Sequence, residues 1–214
     1  MSAGADTWRA WAQRLRAIAQ TGLAYSRDGY DLERFTEVQQ IAEAMLAELL
    51  DVPPARLRDV YLPERGYPTP KVDVRAGVFR EAGAGALEVL LVQETSDGRW
   101  SLPGGWADEE DSPRQSIERE VAEESGYRVR AVKLAALRDR NLHPYRPPRL
   151  ERIYKLLFVC ELTGGAAGKS LETAAARFFP IDRLPELSEG RTLAEDVAIL
   201  ARHWRAPELP TGFD

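Results

Sequence analysis

Residues 104–127 read GGWADEEDSPRQSIEREVAEESGY. Ser112 is an N-cap by type, Pro113 suits the first helical position, and Gln115 completes a capping box. Gly126 is a natural stop. Glu123 and Glu124 then fall in the last turn of the helix, where its dipole favours cations and repels anions. Ile117 and Val121, four apart, mark the buried stripe. At roughly 100° per residue, Glu124 lies about 20° from Ile117 and Glu120 about 60° from it. Glu120 and Glu124 are also i,i+4 neighbours, a spacing at which like charges repel. A solvated charged face is the ordinary explanation of a glutamate run, but these charges point partly inward and sit at the wrong helix end. A bound hard cation resolves all of these conflicts. Oxygen-only ligands with few fixed positions suit Mg²⁺ or Mn²⁺ better than zinc.

Gly105 to Tyr127 resembles the Nudix box, whose pattern is Gly, five residues, Glu, seven residues, then Arg-Glu-aliphatic-x-Glu-Glu-x-Gly-aliphatic. Arg119, Glu120, Val121, Glu123, Glu124 and Gly126 hold their places. Asp111 stands where the family has Glu, and Tyr127 where an aliphatic residue is usual. So many fixed positions make the pattern specific. The resemblance implies a Nudix-type α/β/α sandwich with a mixed sheet, and hydrolysis of a pyrophosphate bond with Mg²⁺, or Mn²⁺, as cofactor. Glu120 and Glu124 are expected to bind metal directly, Glu123 directly or through water, and the Gly105 carbonyl to add an oxygen. Arg119 is expected to orient the carboxylates, since its guanidinium fork offsets their repulsion. The family also places a glutamate outside the box. Glu172, in Ser170-Leu171-Glu172-Thr173, is the candidate general base, although Ala174, Ala175 and Ala176 stand where related chains often have a second acid.

With 214 residues, 44% of them hydrophobic and 29% charged, the chain is long enough for one substantial globular domain with an appendage. A net charge of -5 argues against an extended nucleic-acid partner. The single cysteine, Cys160, sits in the apolar run LLFVCEL and reads as core. No basic-then-apolar leader and no membrane-spanning run are visible, so a cytoplasmic protein without a membrane partner is expected.

Residues 7 to about 50 read as two helices. Trp8, Trp11, Leu15 and Ile18 recur at helical spacing up to a break at Gly22, and Asp31 caps a second helix carrying Leu32, Phe35, Val38, Ile41, Met45 and Leu49. A Pro-rich segment follows. From Lys71 the pattern turns to strands: Val72 to Phe79, Glu88 to Gln93, Lys133 to Asp139, Ile153 to Glu161 and Arg177 to Ile181. Thr192 and Glu195 suggest a capping box for a last helix with Leu193, Val197, Leu200 and Trp204 buried. The chain thus divides into a helical extension (1–69) for packing or dimerisation, an α/β domain (70–206) and a tail (207–214).

Gly22-Leu23-Ala24-Tyr25, Asp28-Gly29-Tyr30-Asp31 and the segment from Gly66 to Arg75 look like the N-terminal part of one Nudix branch. That resemblance implies a homodimer acting on a small nucleoside diphosphate derivative, CDP-choline or ADP-ribose, with Arg75 a substrate-binding candidate. The basic loop Arg138 to Arg149 adds Arg140 and His143 as candidates for contacting phosphate, base or ribose. Gly168-Lys169-Ser170 is similar to the end of a phosphate-binding loop, but its first glycine would fall at Thr163. Two other readings stay open: a Nudix-fold sensor that binds nucleotide without cleaving it, and an enzyme acting on nucleoside triphosphates or capped RNA.

Overall fold

The computed structural model describes residues 4–53, 57, 66–168 and 173–214. Glu172 lies outside the described residues. The chain forms two compact units, Met1–Pro70 and Lys71–Asp214.

In the first unit, α1 (Ala5–Tyr25) and α2 (Gly29–Leu50) pack as a hairpin. The break expected at Gly22 does not occur. A Cβ there would meet the Phe35 ring at 2.5 Å, so the glycine lets the helices approach closely rather than ending one. Asp28, not Asp31, caps α2, accepting the Asp31 N–H at 3.1 Å. Ala12, Ala19, Ala42, Leu46 and Ala47 are buried. Trp8, Trp11, Leu15 and Ile18, spaced three, four and three apart, remain exposed along α1.

In the second unit the strands are β1 (Lys71–Ala82), β2 (Ala86–Glu94), β3 (Trp100–Ser101), β4 (Tyr127–Asp139), β5 (Ile153–Gly165), β6 (Thr173–Pro180) and β7 (Gly212–Phe213). The sheet order is β3-β2-β1-β5-β4-β7, and β6 pairs with β2. β1 organises the sheet. It runs parallel to β5 over Lys71–Val78 and antiparallel to β2 over Phe79–Ala82, which makes the sheet mixed. Residues 73 to 79 are buried on both faces, so helices must cover both. One is α3 (Pro113–Ser125), whose Ile117 and Val121 pack on Val74, Ala76, Val78, Leu90 and Phe158. The other is α4 (Ala194–Arg205), whose Val197, Leu200 and Ala201 pack on Phe79, Val89, Leu91, Leu157 and Val159. The result is the expected α/β/α sandwich.

Several boundaries differ from the sequence reading. β4 begins directly after the Gly126 cap, well before Lys133, and β6 begins at Thr173. Thr192 and Glu195 do not cap α4. The Asp196 carboxylate accepts the Leu193 N–H at 2.7 Å, while Thr192 Oγ1 accepts the Leu102 N–H at 2.9 Å. The 207–214 segment rejoins the sheet: Gly212–Phe213 pairs parallel with Ala136–Leu137, and the Asp214 carboxylate accepts the Asp139 N–H at 2.7 Å. Cys160 is buried. Among the described residues no helix is long and apolar enough to cross a membrane.

Candidate active site

The capping box forms as the sequence predicts. Ser112 Oγ accepts the Gln115 N–H at 3.3 Å and Gln115 Oε1 accepts the Ser112 N–H at 3.0 Å, while Gly126 ends α3 in the left-handed region (φ 76°). With its ends fixed and Ile117 and Val121 buried, the helix cannot rotate, and Glu120 and Glu124 are turned inward. Glu124 is only 6% exposed, and its Oε2 accepts the Gly104 N–H at 2.8 Å. Burial pushes its carboxyl up to about 8. Arg75 and the Gly104 N–H pull it down, and the nearby Glu94 and Glu120 push it further up.

The Gly104–Gly105 turn lies flat against β1. Val74 N–H donates to the Gly105 carbonyl and Ala76 N–H to the Pro103 carbonyl, both at 2.9 Å. Only glycine fits at 104, where φ is 139° and a Cβ would stand 1.9 Å from the Val74 carbonyl oxygen. At 105 a Cβ would come within 3.0 Å of Glu120 Oε2. The missing side chain leaves a cradle beside that carboxylate, and the Gly105 carbonyl still has one lone pair available.

Glu123 points the other way. Its side chain is 59% exposed and lies 3.0 Å from Arg119 Nη1. Arg119 is the hub of an acidic ring: Asp111 at 2.9 Å, Asp108 at 2.8 Å and Glu120 at 3.4 Å complete its partners. The shortened acid at 111 therefore serves Arg119.

The structure brings together Glu120, Glu124 and Gly105 and leaves Glu123 on the outer side of the helix. Among the described residues no three acidic, histidine or cysteine side chains form a ready-made metal cage. The donors nevertheless suit a hard cation. Two inward carboxylates face each other's charge, one is driven towards its protonated form by burial, and a glycine cradle adjoins them. Mg²⁺ takes one or two protein carboxylates and completes its shell with water and substrate phosphate.

The three substrate-binding candidates are all committed to the protein. Arg75 is buried, with Nη2 2.8 Å from Asp73 Oδ1, Nε 3.2 Å from Asp73 Oδ2 and Nη1 3.1 Å from the Leu102 carbonyl. Arg140 donates to the Pro147 carbonyl at 2.7 Å and lies 5.4 Å from the Tyr145 ring. His143 Nδ1 lies 2.6 Å from Arg138 Nη2, and its Nε2 lies 3.2 Å from Arg138 Nε and 2.9 Å from Asp214 Oδ2. Arg140 and His143 pin the loop down.

The sequence reading missed four residues. Asp73 and Lys155 form a buried ion pair, Glu94 sits close enough to raise the Glu124 carboxyl, and Trp106 is 44% exposed immediately after Gly105. The strand period could have flagged Asp73, since residues two apart share a face and Arg75 carries the opposite charge. A lysine inside Ile-Tyr-Lys-Leu-Leu-Phe-Val was a comparable signal.

Comparison with known proteins supplies the frame for this geometry. Residues 70–200 match the Nudix domain, and residues 6–61 match the UDP-X-like N-terminal oligomerisation domain. The chain is similar to YjhB of Bacillus subtilis (strain 168), a provisionally named ADP-ribose pyrophosphatase, at 41% identity over 97% of each chain. It is similar to the crystal structure of a UDP-X diphosphatase at 29% identity, with a TM-score of 0.61 over 99% of this chain and 100% of that one. It is also similar to the crystal structure of an ADP-ribose pyrophosphatase from Streptococcus suis 89-1591 at 38% identity, with a TM-score of 0.61 over 68% of this chain and all of the other. Nudix hydrolases generally use a divalent metal. On its carboxylate-bearing helix, its sandwich and these matches, the chain belongs to the Nudix hydrolase family.

Proposed function

We propose that the protein hydrolyses the pyrophosphate bond of a nucleoside diphosphate linked to a second group, with ADP-ribose favoured and CDP-choline next, in the cytoplasm. The observation that carries this reading is the inward pair Glu120 and Glu124 beside the Gly104–Gly105 turn. The likeness to YjhB along nearly the whole chain supports ADP-ribose.

In this reading Glu120, Glu124 and the Gly105 carbonyl hold Mg²⁺ or Mn²⁺, and Glu123 acts from the outer side, directly or through water. A bound divalent cation offsets the pyrophosphate's charge and makes water a better nucleophile. Arg119 keeps the acidic ring in register. Glu172 takes the proton of the attacking water, and Arg140 and His143 shape the loop that receives the nucleoside or its partner group. Arg75 acts from beneath the site as the counter-charge to Glu124.

The test is hydrolysis of ADP-ribose, CDP-choline, UDP-sugars and nucleoside triphosphates with Mg²⁺ and with Mn²⁺, with product identification. AMP and ribose phosphate from ADP-ribose are expected. Tight nucleotide binding without cleavage of any compound would replace the enzyme with a sensor.

The exposed stripe Trp8, Trp11, Leu15 and Ile18 and the match to an oligomerisation domain support a homodimer built through the N-terminal unit. Trp11→Glu combined with Ile18→Glu is expected to halve the mass measured by light scattering. An unchanged mass would remove this stripe from the interface.

A further inference from the structure

A row of buried charges crosses the sheet. Asp73 on β1 stands in register with Lys155 on β5, and Lys155 with Arg138 on β4. Cross-strand partners share a face, so the three lie side by side on the α4 side of the sheet. All three are buried, Lys155 most deeply at 2% exposed. Stability alone gives little reason for such a row, because apolar replacement of buried ion pairs is often neutral or stabilising.

Its bonds lead to the Gly104–Gly105 turn. Asp73 Oδ2 receives Lys155 Nζ and Arg75 Nε, and Asp73 Oδ1 receives Arg75 Nη2. With that edge of the guanidinium pinned, Nη1 is aimed at the Leu102 carbonyl. Leu102 opens the turn whose Gly104 N–H holds Glu124 and whose Gly105 lies against Glu120. The Leu102 N–H is held by Thr192 and the Pro103 and Gly105 carbonyls by β1, while the Leu102 carbonyl is held by Arg75, whose orientation depends on Asp73 and, from the β5 side, on Lys155.

We infer that Lys155 is a positioning residue. Through Asp73 and Arg75 it holds the Leu102–Gly105 turn against Glu120 and Glu124, and so sets the affinity of that site for a divalent cation. The inference rests on the metal site of the proposed function.

The experiment is Mn²⁺ binding to the metal-free full chain without substrate, followed by calorimetry and by the electron paramagnetic resonance of free Mn²⁺. Wild type, Lys155→Met, Lys155→Arg and Arg75→Lys are compared, with circular dichroism and thermal unfolding as checks on folding. Lys155→Met is expected to weaken binding roughly 10- to 100-fold, the usual effect of losing a residue that orients a ligand set. Electrostatics alone predicts the opposite sign, because removing a positive charge favours a cation. Lys155→Arg, which can still reach Asp73, should recover most of the loss. Arg75→Lys keeps the charge beside Glu124 but cannot span both Asp73 and Leu102, so it should also weaken binding, and it decides the matter if Lys155→Met does not fold. Folded variants that bind Mn²⁺ as tightly as wild type, or more tightly, would overturn the role of Lys155 and leave the proposed function standing. A wild type that binds no Mn²⁺ would remove the metal site, and the inference with it.

Discussion

Glu124→Gln is expected to lower turnover by on the order of a thousandfold or more, because the site loses a negative oxygen where charge must be balanced. The same change should make the metal-free protein more stable above neutral pH. Burial raises the Glu124 carboxyl from its ordinary 4.5 to about 8. Below about pH 4.5 the group is protonated whether the chain is folded or not. As pH rises towards 8 the unfolded chain ionises it while the folded chain holds the proton, so stability falls through that window and then levels off. Glutamine keeps the neutral shape and an acceptor for the Gly104 N–H, and it has no proton to lose. Thermal unfolding in a chelator should therefore show wild type losing stability between about pH 5 and 8 relative to the variant. Parallel curves would refute the buried-acid account. A cation must displace this proton to bind, so Mn²⁺ affinity should climb about tenfold per pH unit and flatten near 8.

Asp196→Ala should destabilise the fold by about 3–5 kcal/mol, the usual result of removing one partner from a buried charge pair. Asp196 is completely buried. Its Oδ1 receives Arg138 Nη1 and the Tyr145 hydroxyl, the latter at 2.7 Å, and its Oδ2 receives the Leu193 N–H. Alanine strands all three donors, and Arg138 keeps only the outer carboxylate of Glu195 and the His143 ring. Asp196→Asn retains oxygen acceptance without the charge and should cost less. Urea unfolding measures both, and a loss below about 1 kcal/mol for the alanine variant would show that Arg138 finds another partner.

The box helix was legible because its signals are local. Ser112, Pro113, Gln115 and Gly126 set its limits, and the angles of Glu120 and Glu124 from Ile117 gave their inward direction. Glu123 shows the limit of that reasoning. It lies one residue from Glu124, yet 100° of rotation sends it outward to Arg119. α1 runs through Gly22, and a glycine that ends a helix and one that admits a neighbouring ring look alike in sequence. Only the position of Phe35 tells them apart. The cap of α4 turned on Asp196 rather than Glu195, a one-residue difference decided by Arg138 and Tyr145 arriving from elsewhere in the chain. The Asp73, Arg75 and Lys155 contacts were hidden for the same reason: the register of β1 against β5 brings together residues 82 apart.

The short strand β7 has a further consequence. β4 would otherwise be the open edge of the sheet, with unpaired backbone groups able to recruit a foreign strand. Its pairing shifts three times along its length, between Arg128/Val129, Ala131/Lys133 and Leu134/Ala136, and such bulges bend a strand away from flat edge-to-edge contact. β7 covers Ala136 and Leu137, immediately beyond the last of these shifts. Gly212 and Phe213 thus act as a stopper on the longest regular stretch of that edge.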